Sequence, residues 1–169
     1  MKCKELPPCG DLWEEFEYAP LAGKLHWRNP KRGIKKATQG TGTRAKGNKP
    51  YLSLRFRGGT WKAHRLIWKW VKGVDPGTLE VDHRNRKHDD NSWVNLRLGT
   101  GSQNQMNRDI QSNNSTGVRG VHRQNDKFGA SIQKDKVSIF LGSYDTVEEA
   151  ASIRLKAEAE LFGDWNSKE

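Results

Sequence analysis

Between Tyr51 and Arg57 apolar and polar side chains alternate strictly. Leu52, Leu54 and Phe56 share one face; Ser53, Arg55 and Arg57 share the other, which is the two-residue period of a half-buried strand. Gly58-Gly59 then reads as a hairpin turn and Trp61–Ala63 as the returning strand. At His64 the period lengthens. His64, Ile67, Trp68 and Val71 fall at helical spacing, and Gly73 and Pro76 stop the helix. Leu25–Trp27, Leu79–Asp82 and Asn95–Leu98 read as further short strands, and Thr100 or Ser102 caps a helix containing Asn104 and Asn107. Upstream of all these, Leu12, Trp13, Phe16 and Tyr18 among Asp11, Glu14, Glu15 and Glu17 predict a short helix capped by Asp11.

Residues 108–117 are polar and aperiodic, the pattern of a linker. Three short strands are predicted beyond them, near Val118–Arg123, Phe128–Gln133 and Val137–Leu141. Thr146-Val-Glu-Glu149 is a capping box opening a helix that runs to about Phe162, with Gly163 as its stop. The alanines at 150, 151, 157 and 159 keep that helix thin enough to pack closely on a small sheet. The expected fold class is α+β, in two modules.

Composition sharpens this picture. Leu, Ile, Val and Phe together make only 32 of 169 residues, too few for one large core, while seven tryptophans can each bury a large apolar area in a small one. No apolar run approaches the roughly 20 residues of a membrane span. Cys3 and Cys9 are the only cysteines and lack a nearby histidine pair, so they are expected to be reduced thiols rather than half of a zinc site. The opening Met1-Lys-Cys-Lys has no apolar stretch of the kind a secretion signal needs, which points to a cytoplasmic location.

The net charge of +10 is unevenly spread. Residues 1–110 carry 22 basic and 11 acidic side chains; residues 111–169 carry 8 and 9. Lys24 to Lys72 holds 15 basic residues and no acidic one. So long a stretch of one sign repels itself unless a polyanion meets it, and nucleic acid is the expected partner.

Candidate chemistry concentrates in Asp82-His83, Asn95 and Asn104. A strand–loop–strand–helix hairpin can bring Asp82 and Asn104 together as oxygen ligands of one hard divalent ion, water filling its other positions. Two oxygen donors suit Mg²⁺ or Mn²⁺ better than zinc. His83 beside them, with a near-neutral pKa, can take a proton from an attacking water. A cation and a base are what phosphodiester hydrolysis requires. His88, in a loop of mixed charge, is expected to be solvated.

The same spacing resembles the phage His-Asn-Asn form of the HNH nucleases, built on the ββα-metal hairpin. The likeness extends through Gly23-Lys-Leu25-His-Trp27-Arg, Ala63-His64-Arg-Leu-Ile-Trp68, Asp90-Asn91, Asn95-Leu-Arg and Gln103-Asn104-Gln-Met-Asn107, covering about residues 18–108. The resemblance implies His83 as general base, Asp82 and Asn104 as metal ligands, and Asn95 as a brace of the loop, with His64 in support of the site. Arg84, Arg86 and Arg97 flank the site as candidate phosphate contacts. Where many relatives carry glycine after the histidine, this chain has Arg84-Asn85-Arg86.

Ser115-Thr-Gly-Val-Arg119-Gly-Val-His122, Phe128-Gly-Ala-Ser-Ile132 and Phe140-Leu-Gly-Ser-Tyr144-Asp-Thr146-Val-Glu-Glu149-Ala-Ala151 resemble the Apetala/ethylene-response-factor DNA-binding domain. That likeness implies a three-stranded antiparallel sheet lying in the major groove, backed by one helix. Residues 111–140 are net positive and 141–169 net negative, as that arrangement requires. Arg119 matches the family's arginine, and Arg123, Gln124, Lys127, Gln133 and Lys134 are further candidates on the same strands. Ideal alternation places Arg119, Val121 and Arg123 on one face.

The expected organisation is a nuclease domain at 1–108 with its motif core at 79–108, a linker at 109–117 and a DNA-binding domain at 118–169. The expected function is metal-dependent, homing-endonuclease-like cleavage of double-stranded DNA with one divalent ion per site. A monomer is favoured, and a single site in a monomer nicks. A phage origin puts the protein in the cytoplasm of a bacterial host. The competing readings are a non-catalytic DNA-binding regulator with a silent hairpin, and a nuclease acting on RNA or on nucleic-acid structure.

Overall fold

The computed structural model of the chain describes residues 5–29, 43–44, 51–110 and 112–166. Its contacts divide into two compact units, Met1–Thr100 and Gly101–Glu169. Both mix helices with small antiparallel sheets.

In the first unit, helix α1 (Cys9–Glu15) follows Pro8, and no side chain caps it. Proline's fixed φ and missing N–H suit a helix start, so the expected cap at Asp11 is corrected. Asp11 lies inside the first turn and pairs with Arg57 at 3.1 Å. Phe16 and Tyr18, read from the sequence as helical, form strand β1 (Phe16–Ala19), paired with β2 (Lys24–Trp27). Phe16 faces Trp27 across this pair with ring centroids 4.2 Å apart, and is fully buried.

A second sheet joins β3 (Thr43–Arg44), β4 (Leu52–Phe56) and β5 (Gly59–Lys62). Phe56 pairs with Gly59, so the connecting turn is Arg57-Gly58 rather than Gly58-Gly59. Both turn residues have positive φ, 48° and 72°, the backbone of a type I′ turn, which matches the twist of the flanking strands. Leu54, Phe56 and Trp61 are buried, whereas Arg55, Thr60 and Lys62 face outward.

Helix α2 (Ala63–Lys72) buries Leu66 and Ile67 and ends at Gly73 in the left-handed conformation. Strands β6 (Glu80–His83) and β7 (Leu96–Gly99) form a two-stranded sheet, with a 3₁₀ turn at Trp93–Asn95 leading into β7. One core, containing Leu12, Leu25, Leu54, Leu66, Val81 and Leu96, underlies these elements.

The second unit opens with helix α3 (Gly101–Met106). Strands β8 (Val121–Gln124), β9 (Lys127–Lys134) and β10 (Val137–Tyr144) follow as an antiparallel sheet in the order β10-β9-β8. Helix α4 (Val147–Phe162) starts at Thr146, whose Oγ1 accepts the Glu149 N–H at 3.2 Å. Val121 and Ala130 pack on Ala150, and Ile132 on Phe162, so α4 covers one face of the sheet.

Met106 sits in that same core. Its burial against Ile132 and Phe162 explains why the division falls before α3 rather than in the polar stretch 109–117. Asn107 lies just beyond α3, its N–H bonded to the Asn104 carbonyl.

Candidate active site

Strands β6 and β7 set Asp82 opposite Arg97 and His83 opposite Leu96. The loop between them is tied by asparagines. Asn95 Oδ1 accepts from the Asn85 N–H at 2.9 Å, and its Nδ2 donates to the Asp90 carbonyl at 2.6 Å. Asn85 Nδ2 donates to Asp90 Oδ2, and its Oδ1 accepts from the Lys87 N–H. Arg86 takes a positive φ of 63° within this loop, and its N–H bonds to the His83 carbonyl. Burial opposes ionisation of Asp90, but donors from Ser92 and Asn85 outweigh it and hold the carboxyl below its ordinary value.

His83 is buried, 2% exposed, with Nε2 at 2.9 Å from Asn91 Oδ1. An amide oxygen only accepts, so Nε2 carries the proton and the lone pair of the neutral ring lies on Nδ1. Burial pushes the His83 pKa down; the bond to Asn91 and the charges of Asp82, Asp90 and Asp89 offset part of that. Asn91 is 1% exposed, and its carbonyl accepts from the Tyr18 hydroxyl at 2.7 Å. Burial, then the charge of Asp90, raises Tyr18 to about 12, so it remains a donor. Gly23 completes this support. A side chain there would lie 2.4 Å from the Ser92 nitrogen, so only glycine lets the β1–β2 turn approach the Asn91–Ser92 backbone.

Three more rings surround His83. The His64 ring lies 5.0 Å from it, centroid to centroid, His88 at 6.0 Å and Tyr51 at 6.1 Å. His64 is buried, and burial together with the charges of His83, Lys62, Arg65 and His88 keeps it neutral, well below the ordinary histidine value. His88 is half-buried with its ring 4.6 Å from Tyr51, which corrects the expectation of a solvated side chain.

Asp82, 8% exposed, accepts a hydrogen bond at Oδ2 from Arg97 Nε at 3.0 Å, and Arg97 Nη2 forms an ion pair with the same oxygen at 3.0 Å. Arg97, expected as a phosphate contact, is therefore engaged with the carboxylate across the sheet. Arg84, Arg86 and Lys87 are exposed beside the site. Asn104 stands half-buried on α3, in the other unit. Among the described residues no three His, Cys, Asp or Glu side chains gather as a metal cage. Within the first unit the buried Asp82 carboxylate is an oxygen donor of the kind that suits a hard ion keeping most of its water, as Mg²⁺ does.

The candidate DNA contacts of the second unit separate by side. Alternation along β9 puts Lys127, Ser131 and Gln133 on the face away from α4, with Gln124 on the same face of β8. Lys134 has the opposite parity; its Nζ reaches the Leu161 carbonyl at the end of α4. Arg119 precedes the sheet, and Gly120, at φ 72°, interrupts the expected alignment of Arg119 with Val121 and Arg123. The Arg119 guanidinium donates to the Gln105 and Met106 carbonyls at the end of α3. Arg123 is exposed and donates to the Asn125 carbonyl at 3.4 Å.

Asn91 and Tyr51 carry roles that reading the sequence did not assign. Strand alternation continued one residue back from Leu52 places Tyr51 on the Ser53–Arg55 face. Nothing local marks Asn91 or His88, because the asparagine-tied loop decides where they point.

Residues 62–106 match the sequence model of an HNH endonuclease family. An uncharacterised HNH endonuclease of Acanthamoeba polyphaga mimivirus is 34% identical over 108 residues, which cover 63% of this chain and 56% of that protein. The match thus spans little more than half of the relative's length. No solved structure matches the chain. The segment similar to that family runs from the end of β5 to the end of α3.

Proposed function

We propose that the chain is a metal-dependent DNA endonuclease in which His83 is the general base. The observation that carries this is the His83 Nε2–Asn91 Oδ1 hydrogen bond, which directs the basic lone pair to Nδ1 on a ring that burial keeps neutral. As a water oxygen bonds to phosphorus, its proton passes to Nδ1. The bond from phosphorus to the leaving sugar oxygen breaks, and that oxygen takes up a proton from solvent. Asp82 would hold one Mg²⁺ or Mn²⁺, which when bound neutralises charge at the phosphorus and the leaving oxygen. Asn95 ties the loop so that His83 keeps one orientation, and His64 packs behind the ring.

Arg84 and Arg86 grip flanking phosphates, and the outward face of the C-terminal sheet, with Gln124, Lys127 and Gln133, contacts duplex DNA in the manner of an Apetala-type domain. One such site in a monomer cuts one strand, so the product is a nick, made site-selectively as homing enzymes do.

Purified protein, supercoiled plasmid and Mg²⁺ test this reading. Open-circle product is expected from the wild type, and none from His83→Ala, whose gel-shift affinity stays near the wild-type value. Binding without any cutting by the wild type would leave a DNA-binding regulator in place of the enzyme.

A further inference from the structure

Several basic residues of the first unit are paired with carboxylates. Arg57 pairs with Asp11 at 3.1 Å, Arg65 and Lys69 with Asp75 at 3.5 and 3.9 Å, and Arg97 with Asp82 at 3.0 Å. These cations are already balanced by carboxylates. Arg55 and Lys62 are not: both are exposed on the β4–β5 hairpin, and neither has an ion-pair partner among the described residues.

The two share one face. Ser53 pairs with Lys62, and Arg55 with Thr60, opposite the buried face of Leu54, Phe56 and Trp61. The row leads toward the active-site histidines. Lys62 Nζ lies 4.6 Å from the Tyr51 ring centroid; the same ring lies 4.6 Å from His88, 5.2 Å from His64 and 6.1 Å from His83. Arg55 and Lys62 occupy one diagonal of these four paired positions, and Ser53 and Thr60 occupy the other. Alternating cations and hydroxyls on a rigid strand pair are what a phosphodiester backbone recognises, since such contacts fix register without reading sequence.

We propose that the outer face of β4 and β5, Ser53, Arg55, Thr60 and Lys62 with Tyr51 at its end, is a backbone track that delivers the cut strand of a DNA duplex to His83. Most of this surface lies upstream of the matched HNH segment, which starts at residue 62. The inference deepens the nuclease reading and rests on it for the fate of the strand at His83. Register favours the track: Arg55 and Lys62 are diagonal neighbours across the strand pair, a separation of about 7–8 Å, close to the spacing of phosphates along one DNA strand.

Binding of a mixed-sequence 30-base-pair DNA duplex to the full chain, measured by fluorescence anisotropy in EDTA from 50 to 200 mM KCl, tests the track. The double variant Arg55→Gln/Lys62→Gln is expected to lose affinity by about tenfold, with the slope of log K against log salt reduced by about 1.8, or ~0.9 per lost phosphate contact. Lys24→Gln, an exposed lysine of β2 outside the track, keeps the wild-type affinity and slope. A double variant with wild-type affinity and slope overturns the proposal. So does an equal loss in Lys24→Gln, because the effect is then bulk charge. Tighter binding of the same sequence as RNA duplex overturns the assignment to DNA. A wild type that binds by these cations but never nicks plasmid in Mg²⁺ refutes the nuclease reading and leaves the track as a binding surface.

Discussion

Replacing Asn91 with alanine tests whether orientation of His83 controls cutting. The variant takes away the acceptor 2.9 Å from Nε2 and leaves a ring that is 2% exposed without that anchor. Losing a partner from a buried donor costs about 1–3 kcal/mol. The lower end applies here, because Asn91 Nδ2 is itself buried without a partner and alanine removes that burden. The Tyr18 hydroxyl bonds to the Asn91 backbone carbonyl and is untouched. A loss near 1 kcal/mol lowers the Tm of a unit of this size by about 4–8 °C. Cutting should fall further than stability suggests. A group that fixes a catalytic imidazole contributes about 10–100-fold, below the roughly 10²–10⁴-fold that a general base supplies. Asn91→Asp separates the two effects. Its carboxylate still accepts from Nε2–H, so single-turnover cutting should exceed that of Asn91→Ala, although a buried charge makes the protein less stable. The assay is open-circle formation from supercoiled plasmid, with thermal melting by circular dichroism on the same samples. Wild-type cutting by Asn91→Ala refutes the orientation argument, and activities that merely follow Tm across the two variants reduce Asn91 to a packing residue.

Three other perturbations follow from the geometry. Arg97→Gln leaves the nearly buried Asp82 carboxylate without its cation and should cost about 3 kcal/mol in EDTA; Mg²⁺ should restore more Tm to it than to the wild type, and equal shifts would remove Asp82 from the metal shell. Asp75 is partly buried, which opposes its charge, yet N–H donors from Gly77 and Leu6 and the cations Lys69 and Arg65 hold its pKa below the ordinary value. Its contribution is therefore present above about pH 4, the unfolded carboxylate range, and is lost as pH falls through the lower folded value. Melting from pH 6 to 2.5 should show an acid limb that Asp75→Asn flattens, and an unchanged limb would assign it elsewhere. Arg119→Ala removes charge-assisted bonds to the last carbonyls of α3, each of about 1.5–3 kcal/mol, and should destabilise the second unit. If the variant instead melts like the wild type and loses DNA affinity, Arg119 is the base or phosphate contact that its sequence position implies.

The features legible in the sequence are those whose cause is local. Alternation over Tyr51–Arg57 identified the β4 region because one face of that strand is buried and the other wet. The Thr146–Glu149 box identified the start of α4 because its bond closes within one turn. Where distant partners decide, local pattern fails. Phe16 and Tyr18 sit at spacings that a helix or a strand can use, and pairing with Trp27 and Leu25 settles them as strand. Six residues of α3 cannot declare which core they join; burial of Met106 beside Ile132 and Phe162 does so. Asp82, His83, Asn95 and Asn104 stood out because their residue types and spacing are specific, whereas Asn91 needed the folded loop to bring it under the ring. Charge followed the same division. The sequence located an excess of cations between Lys24 and Lys72, but counting could not tell a cation facing Asp11 from one facing solvent. Pairing makes that distinction, and it moves the emphasis in nucleic-acid binding from the number of basic residues to the few whose charge no carboxylate has taken.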